Sequence, residues 1–134
     1  YSLTNVMIGK SDPNVIAILD WELSTLGDPC ADFNYHCLQY TMNPKLADKE
    51  YCKQQGIPVI DDYVKMYSER INIDLTEEWD LYTAYNLFKL AGILQGILGR
   101  VRDGTAAHEN AAERASGVRN LSDTAWDLVE KNFL

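Results

Sequence analysis

A five-residue apolar run, Val15-Ile16-Ala17-Ile18-Leu19, stops abruptly at Asp20 and constrains the fold more than any other stretch. Its length and β-branched content predict a buried strand. Trp21 and Glu22 follow, then a turn through Gly27, then Asp28-Pro29, a sequence signature of a helix start. Between Ser11 and Pro44 stand five acids (Asp12, Asp20, Glu22, Asp28, Asp32) and no Lys or Arg. A carboxylate that ends a buried strand with no cation nearby in sequence needs a partner from elsewhere in the fold, or a metal ion.

Upstream, Asn5 to Lys10 is also β-prone, and Ser11-Asp12-Pro13-Asn14 carries strong turn chemistry. The two segments predict an antiparallel hairpin. It would set Asn5, at the outer start of one strand, beside Asp20, at the outer end of the other. Two strands alone are marginal, so the helices that follow are expected to cover them.

Most of the remaining chain reads as helix. Asp28 and Pro29 open the first, with Asp32 in its first turn, Phe33, Cys37 and Tyr40 or Thr41 on one side, and Asn43-Pro44 at its end. Leu46 to Gln55 predicts a short helix closed by Gly56 and Pro58. Ile60, Val64, Tyr67 and Ile71 recur at helical spacing behind Asp61 and Asp62. The longest helix is expected to be capped by Thr76, to carry Glu77, Glu78 and Asp80 at its start, and to finish at Arg100, Arg102 and Gly104. Trp79, Tyr82, Asn86, Leu90, Ile93, Ile97 and Val101 make one stripe along it, and Leu81, Tyr85, Phe88 and Leu98 make the other side apolar too, which predicts a central position. Gly92, Gly96 and Gly99 suggest close approach of another backbone. The last segment, from Ala107 through Leu121 to Leu128, predicts one helix, or two broken near Gly117 or Ser122. No repeat or linker divides the chain, which divides only into a hairpin and loop (1–27) and a helical part (28–134).

The 134 residues suffice for a core, and the balance of 12 Lys and Arg against 20 Asp and Glu gives a net charge of −8. That balance argues against nucleic acid and anionic membranes as partners, and permits a cationic substrate or a metal. Three cysteines, Cys30, Cys37 and Cys52, form no framework and read as buried thiols of a reducing compartment; zinc binding with His36 is the lesser alternative. The most apolar window, Tyr85 to Leu98, is interrupted by Asn86, Lys89 and Gln95, so a buried helix is expected rather than a membrane span, and a cytoplasmic location. Tyr1 is not Met, and a strand starts within a few residues of it, so the chain is expected to be a piece of something longer.

Physically, Asn5 and Asp20 are the candidate site. A hard cation such as Mg²⁺ takes one or two protein oxygens and completes its shell with phosphate and water. For an isolated pair, a turn cap and a strand start would be the simpler reading.

The wider pattern resembles the aminoglycoside phosphotransferase and choline kinase-like family, whose fold is related to protein kinases. The family's catalytic loop reads His-x-Asp-x-x-x-x-Asn, and its metal segment reads Ile-Asp, six residues, Gly, four residues, Asp. Leu19-Asp20, Gly27 and Asp32 match the second motif apart from Leu for Ile, and Tyr1-Ser2-Leu3-Thr4-Asn5 fits the tail of the first. Leu19 to Pro29, and Tyr85 to Arg100 with Gln95-Gly96, look closest to phosphotransferase domains found alone or fused to acyl-CoA dehydrogenases. The resemblance implies an α+β, mostly helical fold: the C-terminal lobe of a kinase-like domain, with a metal-bearing hairpin covered by a helical bundle. It implies ATP and Mg²⁺ as cofactors, with Asp20 catalytic through the metal, Asn5 assisting as a metal ligand and Asp32 supporting the site. Glu22, Gln95 and Arg100 become candidate substrate contacts, with Trp21 and Tyr85 near the same pocket. The acceptor would be a small-molecule hydroxyl, a hydroxyacyl-CoA or a cationic alcohol among the options. The family's catalytic Asp would immediately precede Tyr1, and the nucleotide-gripping half would lie upstream, so this chain alone is expected to transfer no phosphate. A non-catalytic kinase-like helical binding module is the alternative, and an unrelated helical interaction domain a third reading.

Overall fold

A computed structural model describes residues 2–22, 24–107 and 110–134. Tyr1 and Leu23, both part of the quoted motifs, lie outside the described residues. The chain begins with a single 3₁₀ turn, Leu3–Asn5, which the Ser2 hydroxyl caps at the Thr4 amide. Strands β1 (Val6–Ile8) and β2 (Val15–Ile18) then pair antiparallel, with Val6 opposite Ile18, Met7 opposite Ala17 and Ile8 opposite Val15. The register slips between Met7 and Ile8. The hairpin is the expected one, with shorter strands. Gly9 explains part of the shortening: its amide bonds the Asn14 carbonyl at 3.0 Å, and a Cβ there would sit 2.5 Å from the Asp12 carbonyl oxygen. The loop folds tightly onto the glycine before a longer ladder can form.

The expected burial of the hairpin is corrected. Val15, Ile16, Ile18 and Leu19 are all largely exposed, as are Met7 and Ile8. Successive strand residues point to opposite faces, so both faces of the hairpin are open. Apolar composition marks a strand suited to burial. It does not say which element buries it, and the helices of this chain do not.

Helix α1 (Pro29–Met42) starts as its sequence specifies. The Asp28 carboxylate accepts from the Cys30 amide at 2.8 Å, Pro29 occupies the first turn, and Asn43 ends the helix through a 2.9 Å bond to the Gln39 carbonyl. The expected short helix is two, α2 (Pro44–Ala47) and α3 (Lys49–Gln54), because Asp48 interrupts it and caps α3 at the Glu50 and Tyr51 amides. Helix α4 (Ile60–Ile71) ends at Asn72 in the left-handed region (φ 55°).

Helix α5 (Trp79–Arg102) begins later than expected. Thr76 does not cap it. The Asp74 carboxylate instead takes both the Thr76 amide (2.9 Å) and its hydroxyl (2.7 Å), a local Asx turn that competes with helix initiation. At the far end Gly104 (φ 68°) and Thr105 turn back, their amides bonding the Val101 and Arg100 carbonyls. The final segment breaks near Gly117, giving α6 (Ala111–Arg114) and α7 (Val118–Phe133). Ser122 lies within α7, its hydroxyl donating back to the Val118 carbonyl.

Two apolar clusters flank α1. Cys30, Phe33 and Cys37 meet Val64 of α4 and Leu75, walled by Tyr63, Tyr67 and Trp79; Phe33 and Tyr67 stack with ring centroids 3.9 Å apart. Leu38, on the other side, joins Leu87 and Ala91 of α5 and Leu121 and Ala125 of α7. Between the clusters runs a buried polar seam. Asn86 donates to the Ala31 carbonyl (2.8 Å) and to Asn34 Oδ1 (3.0 Å), while Asn34 donates to Thr83 Oγ1 (2.9 Å). Sequence placed Asn86 on an apolar stripe but did not foresee its partners.

Central as α5 is, half of it is bare. Leu81, Tyr85, Phe88 and Ile93 stay exposed, contrary to a helix apolar all round and covered all round. The close approach expected at its glycines is also absent. A Cβ at Gly92 or Gly99 would meet nothing within 4 Å, and at Gly96 only the Arg100 guanidinium at 3.9 Å.

Candidate functional site

The hairpin brings its two outer ends together. The Leu19 amide bonds the Asn5 carbonyl at 2.7 Å, one step beyond the β ladder, and this locks residue 5 against residues 19 and 20. Across that lock Asn5 Nδ2 donates to Asp20 Oδ2 at 2.9 Å. Asn5 and Asp20, expected to lie side by side, are hydrogen-bonded. Asp20 is solvent-exposed and Asn5 half-buried.

Asp20 also holds an uncommon backbone. Its φ of 68° places it in the left-handed region, where a non-glycine residue costs free energy and Asp is among the better-tolerated types. The chain thus reverses at Asp20, and the Trp21 indole folds back to donate to the Ile18 carbonyl at 2.7 Å. A further bond, from the Ser24 amide to the Trp21 carbonyl (2.9 Å), tightens the loop. Trp21 is a bracket over the strand end and remains largely exposed.

The donor set suits a hard cation. Asp20 keeps one carboxylate oxygen that Asn5 does not engage, and among the described residues Asn5 Oδ1 receives only a 3.5 Å contact from the Thr4 hydroxyl. A carboxylate oxygen and an amide oxygen are the kinds of donor that Mg²⁺ takes from protein when phosphates and water supply the rest. Among the described residues no group of three or more His, Cys, Asp or Glu could hold a metal, so a closed all-protein cage is not built here.

The other candidates are placed differently. Asp32 sits exposed in the first turn of α1, its amide bonded to the Asp28 carbonyl at 3.2 Å; the Tyr1 end of the segment it would support is outside the described residues. Glu22 is exposed in the turn after Asp20. Gln95 and Arg100 are exposed on the second half of α5, a helix whose main packing partners among the described residues are α1, α6 and α7. Tyr85 is likewise exposed.

One carboxylate, expected only as a cap, does more structurally. Asp28 uses Oδ1 for the α1 amide and Oδ2 to accept from the Tyr82 hydroxyl at 2.7 Å, which ties the start of α1 to α5. The Tyr82 bond, and then the Cys30 amide, hold its carboxyl below the usual range, and the same bond raises the Tyr82 phenol. Behind it the three thiols are buried and free; burial pushes Cys37 up to about 12. His36 meets the Tyr63 hydroxyl at 3.1 Å, and burial lowers its pKa. No described helix is long and apolar enough to cross a membrane.

Residues 1–85 match the phosphotransferase enzyme family. Over nearly its whole length the chain is also similar to acyl-CoA dehydrogenase family member 10 of Mus musculus, at 34% identity across 98% of this chain and 13% of the relative. It is 31% identical to acyl-CoA dehydrogenase family member 11 of Homo sapiens, across 99% of this chain and 18% of that protein. A probable acyl-CoA dehydrogenase of Arabidopsis thaliana is 32% identical across 97% of this chain and 16% of its own length. The chain thus spans less than a fifth of these relatives. No solved structure matches it.

Proposed function

This chain belongs to the phosphotransferase enzyme family, and from that membership we propose that it is the metal-binding, C-terminal part of a kinase-like domain that phosphorylates a small-molecule hydroxyl using ATP and Mg²⁺. One observation carries the reading: the 2.9 Å bond between Asn5 and Asp20 at the joined ends of the hairpin. The family match over residues 1–85 supports the phosphotransferase class, and the pairing supports the choice of Asn5 and Asp20 within it.

In this reading Asp20 and Asn5 hold Mg²⁺, which when bound neutralises charge on the transferring phosphoryl group. The residues' own work is positional. Asn5 fixes the Asp20 carboxylate by donating to one oxygen, and the Leu19–Asn5 backbone bond fixes Asn5. The left-handed turn at Asp20 sets the carboxylate at the strand end instead of along it. Asp32 supports the loop ahead of the hairpin. Glu22 is the candidate acceptor contact nearest the pair in sequence, with Gln95 and Arg100 contributing from α5. The names of the relatives favour an acceptor from acyl-CoA chemistry, a hydroxyacyl thioester above a cationic alcohol.

The decisive experiment uses a longer protein that includes the residues before Tyr1. ATP- and Mg²⁺-dependent transfer to a panel of hydroxyl acceptors should be present in the parent and lost in Asp20→Ala. Undiminished transfer by the variant would sink the reading. The 134-residue chain by itself should transfer nothing.

A further inference from the structure

Away from the hairpin, α4, the 72–78 turn, the start of α5 and the end of α7 enclose an open groove of about 530 Å³. Its apolar lining is Ile60 and Val64 from α4, Trp79 from α5 and Phe133 from α7. Its polar lining is Asp61, Glu77, Asp80, Thr76 and the Asn132 amide, and no lining residue is a Lys or Arg. No hairpin residue takes part. Its size is that of pockets for small molecules.

The charge needs to be weighed before it is used. Helices α4 and α5 both begin here, and each start carries roughly half a positive charge that a carboxylate would complement. Lys49 takes up Asp61 at 2.7 Å. Three carboxylates exceed those demands by about one negative charge. Among the described residues neither Glu77 nor Asp80 makes an ion pair, so the excess lies on the α5 side of the groove, which Trp79 also lines.

We infer that this groove is a binding site for a small organic monocation, an ammonium group carried on an apolar body. The body lies on Ile60, Val64 and Phe133, and the ammonium sits between the Glu77 and Asp80 carboxylates, over Trp79. An indole face attracts a cation electrostatically, so Trp79 serves both halves of the ligand. Volume alone would admit a neutral ligand. The unpaired carboxylates select the cation. The inference is independent of the phosphotransferase reading, since it shares no residue with Asn5 and Asp20.

The test titrates the full chain with phenethylammonium and, in parallel, with 2-phenylethanol, a neutral probe of similar shape, following the Trp79 indole and Asn132 amide signals by NMR. The expected result is saturable shifts of both signals by the cation, with affinity at least about tenfold above the alcohol. Glu77→Gln/Asp80→Asn should weaken the cation by about three- to tenfold, as loss of two exposed charges permits. Those substitutions also touch the start of α5, so a second variant separates binding from folding. Lys49→Ala frees the Asp61 carboxylate and should tighten the cation about two- to threefold, an improvement that damage to the fold would not produce. Equal affinity for the alcohol, no saturable shift, or unchanged affinity in both variants would overturn the inference.

Discussion

Two Asn-centred hydrogen bonds of nearly equal length hold this molecule's two regions, in opposite surroundings. At the hairpin, Asn5 reaches Asp20 at 2.9 Å in a segment whose strands show both faces to solvent. At the seam between α1 and α5, Asn86 reaches Asn34 at 3.0 Å with both side chains buried. The buried bond is one of several, joined by the Ala31 carbonyl and Thr83, because a polar group removed from water must find partners within the protein. Among the described residues the exposed bond is joined only by a 3.5 Å contact from the Thr4 hydroxyl. The buried polar groups are enclosed and shared; the exposed pair stays in water.

That contrast can be broken by mutation, and the largest effect is expected at the hairpin. On the proposed reading, Asp20→Ala in a longer protein that carries this chain should lower phosphoryl transfer by on the order of 10³-fold or more while shifting the melting temperature little. Asp20→Gly should match it in activity and slightly raise stability, because glycine accepts the 68° φ without strain. A large loss of stability in either variant would mean that Asp20 belongs with the structural group.

At the seam the order reverses. Leu87→Ala should cost about 2–5 kcal/mol in chemical denaturation, since Leu87 is fully buried between α1 and α7. Asn86→Ala should cost about 1–3 kcal/mol, by stranding Asn34 Oδ1 and the Ala31 carbonyl. That cost is tempered by a flaw in the native seam: among the described residues Asn86 Oδ1 finds no hydrogen-bond partner.

Asp28 sits between the two regimes, exposed but doubly bonded. Its carboxyl is held below its ordinary value by Tyr82 and the Cys30 amide, so the stability it lends is complete above about pH 4 and is lost as pH falls through the depressed folded value. Asp28→Ala should cost about 1 kcal/mol at neutral pH and flatten the acid side of the stability profile. Smallest of all, Ile16→Thr should change stability by less than about 0.5 kcal/mol, because a mostly exposed strand residue has little packing to lose. A core-sized effect there would show that the hairpin is covered after all.

The sequence was most readable where one residue decides one feature. Asp28-Pro29 stated the start of α1, Asn43-Pro44 its end, and turn chemistry at 11–14 stated the hairpin that joins Asn5 to Asp20. It was least readable where the outcome depends on competition or on distant partners. Thr76 looked like a cap, but Asp74, two residues earlier, bonds it first. Asn86 stood on an apolar stripe, and a polar residue there signals a buried partner, yet Asn34 is 52 residues away. Burial of Val15 to Leu19 was overcalled for a related reason: composition reports what a strand can tolerate against it, and says nothing of which segment supplies the contact. The glycines of α5 misled in the same way, marking room for a neighbour that these residues do not provide.

The double bonding of Asp28 also limits how this chain can drift over evolution. One oxygen caps the start of a helix and the other anchors a tyrosine hydroxyl 54 residues away, so a replacement must serve both at once. Serine could cap without reaching Tyr82. Glutamate extends the carboxylate by a methylene and misplaces the cap. Asparagine keeps the shape but can offer its oxygen to only one of the two donors. A saturation library at this position, scored for folding alone, should therefore admit few residue types despite its solvent exposure, and the survivors should be enriched in second-site changes at Tyr82.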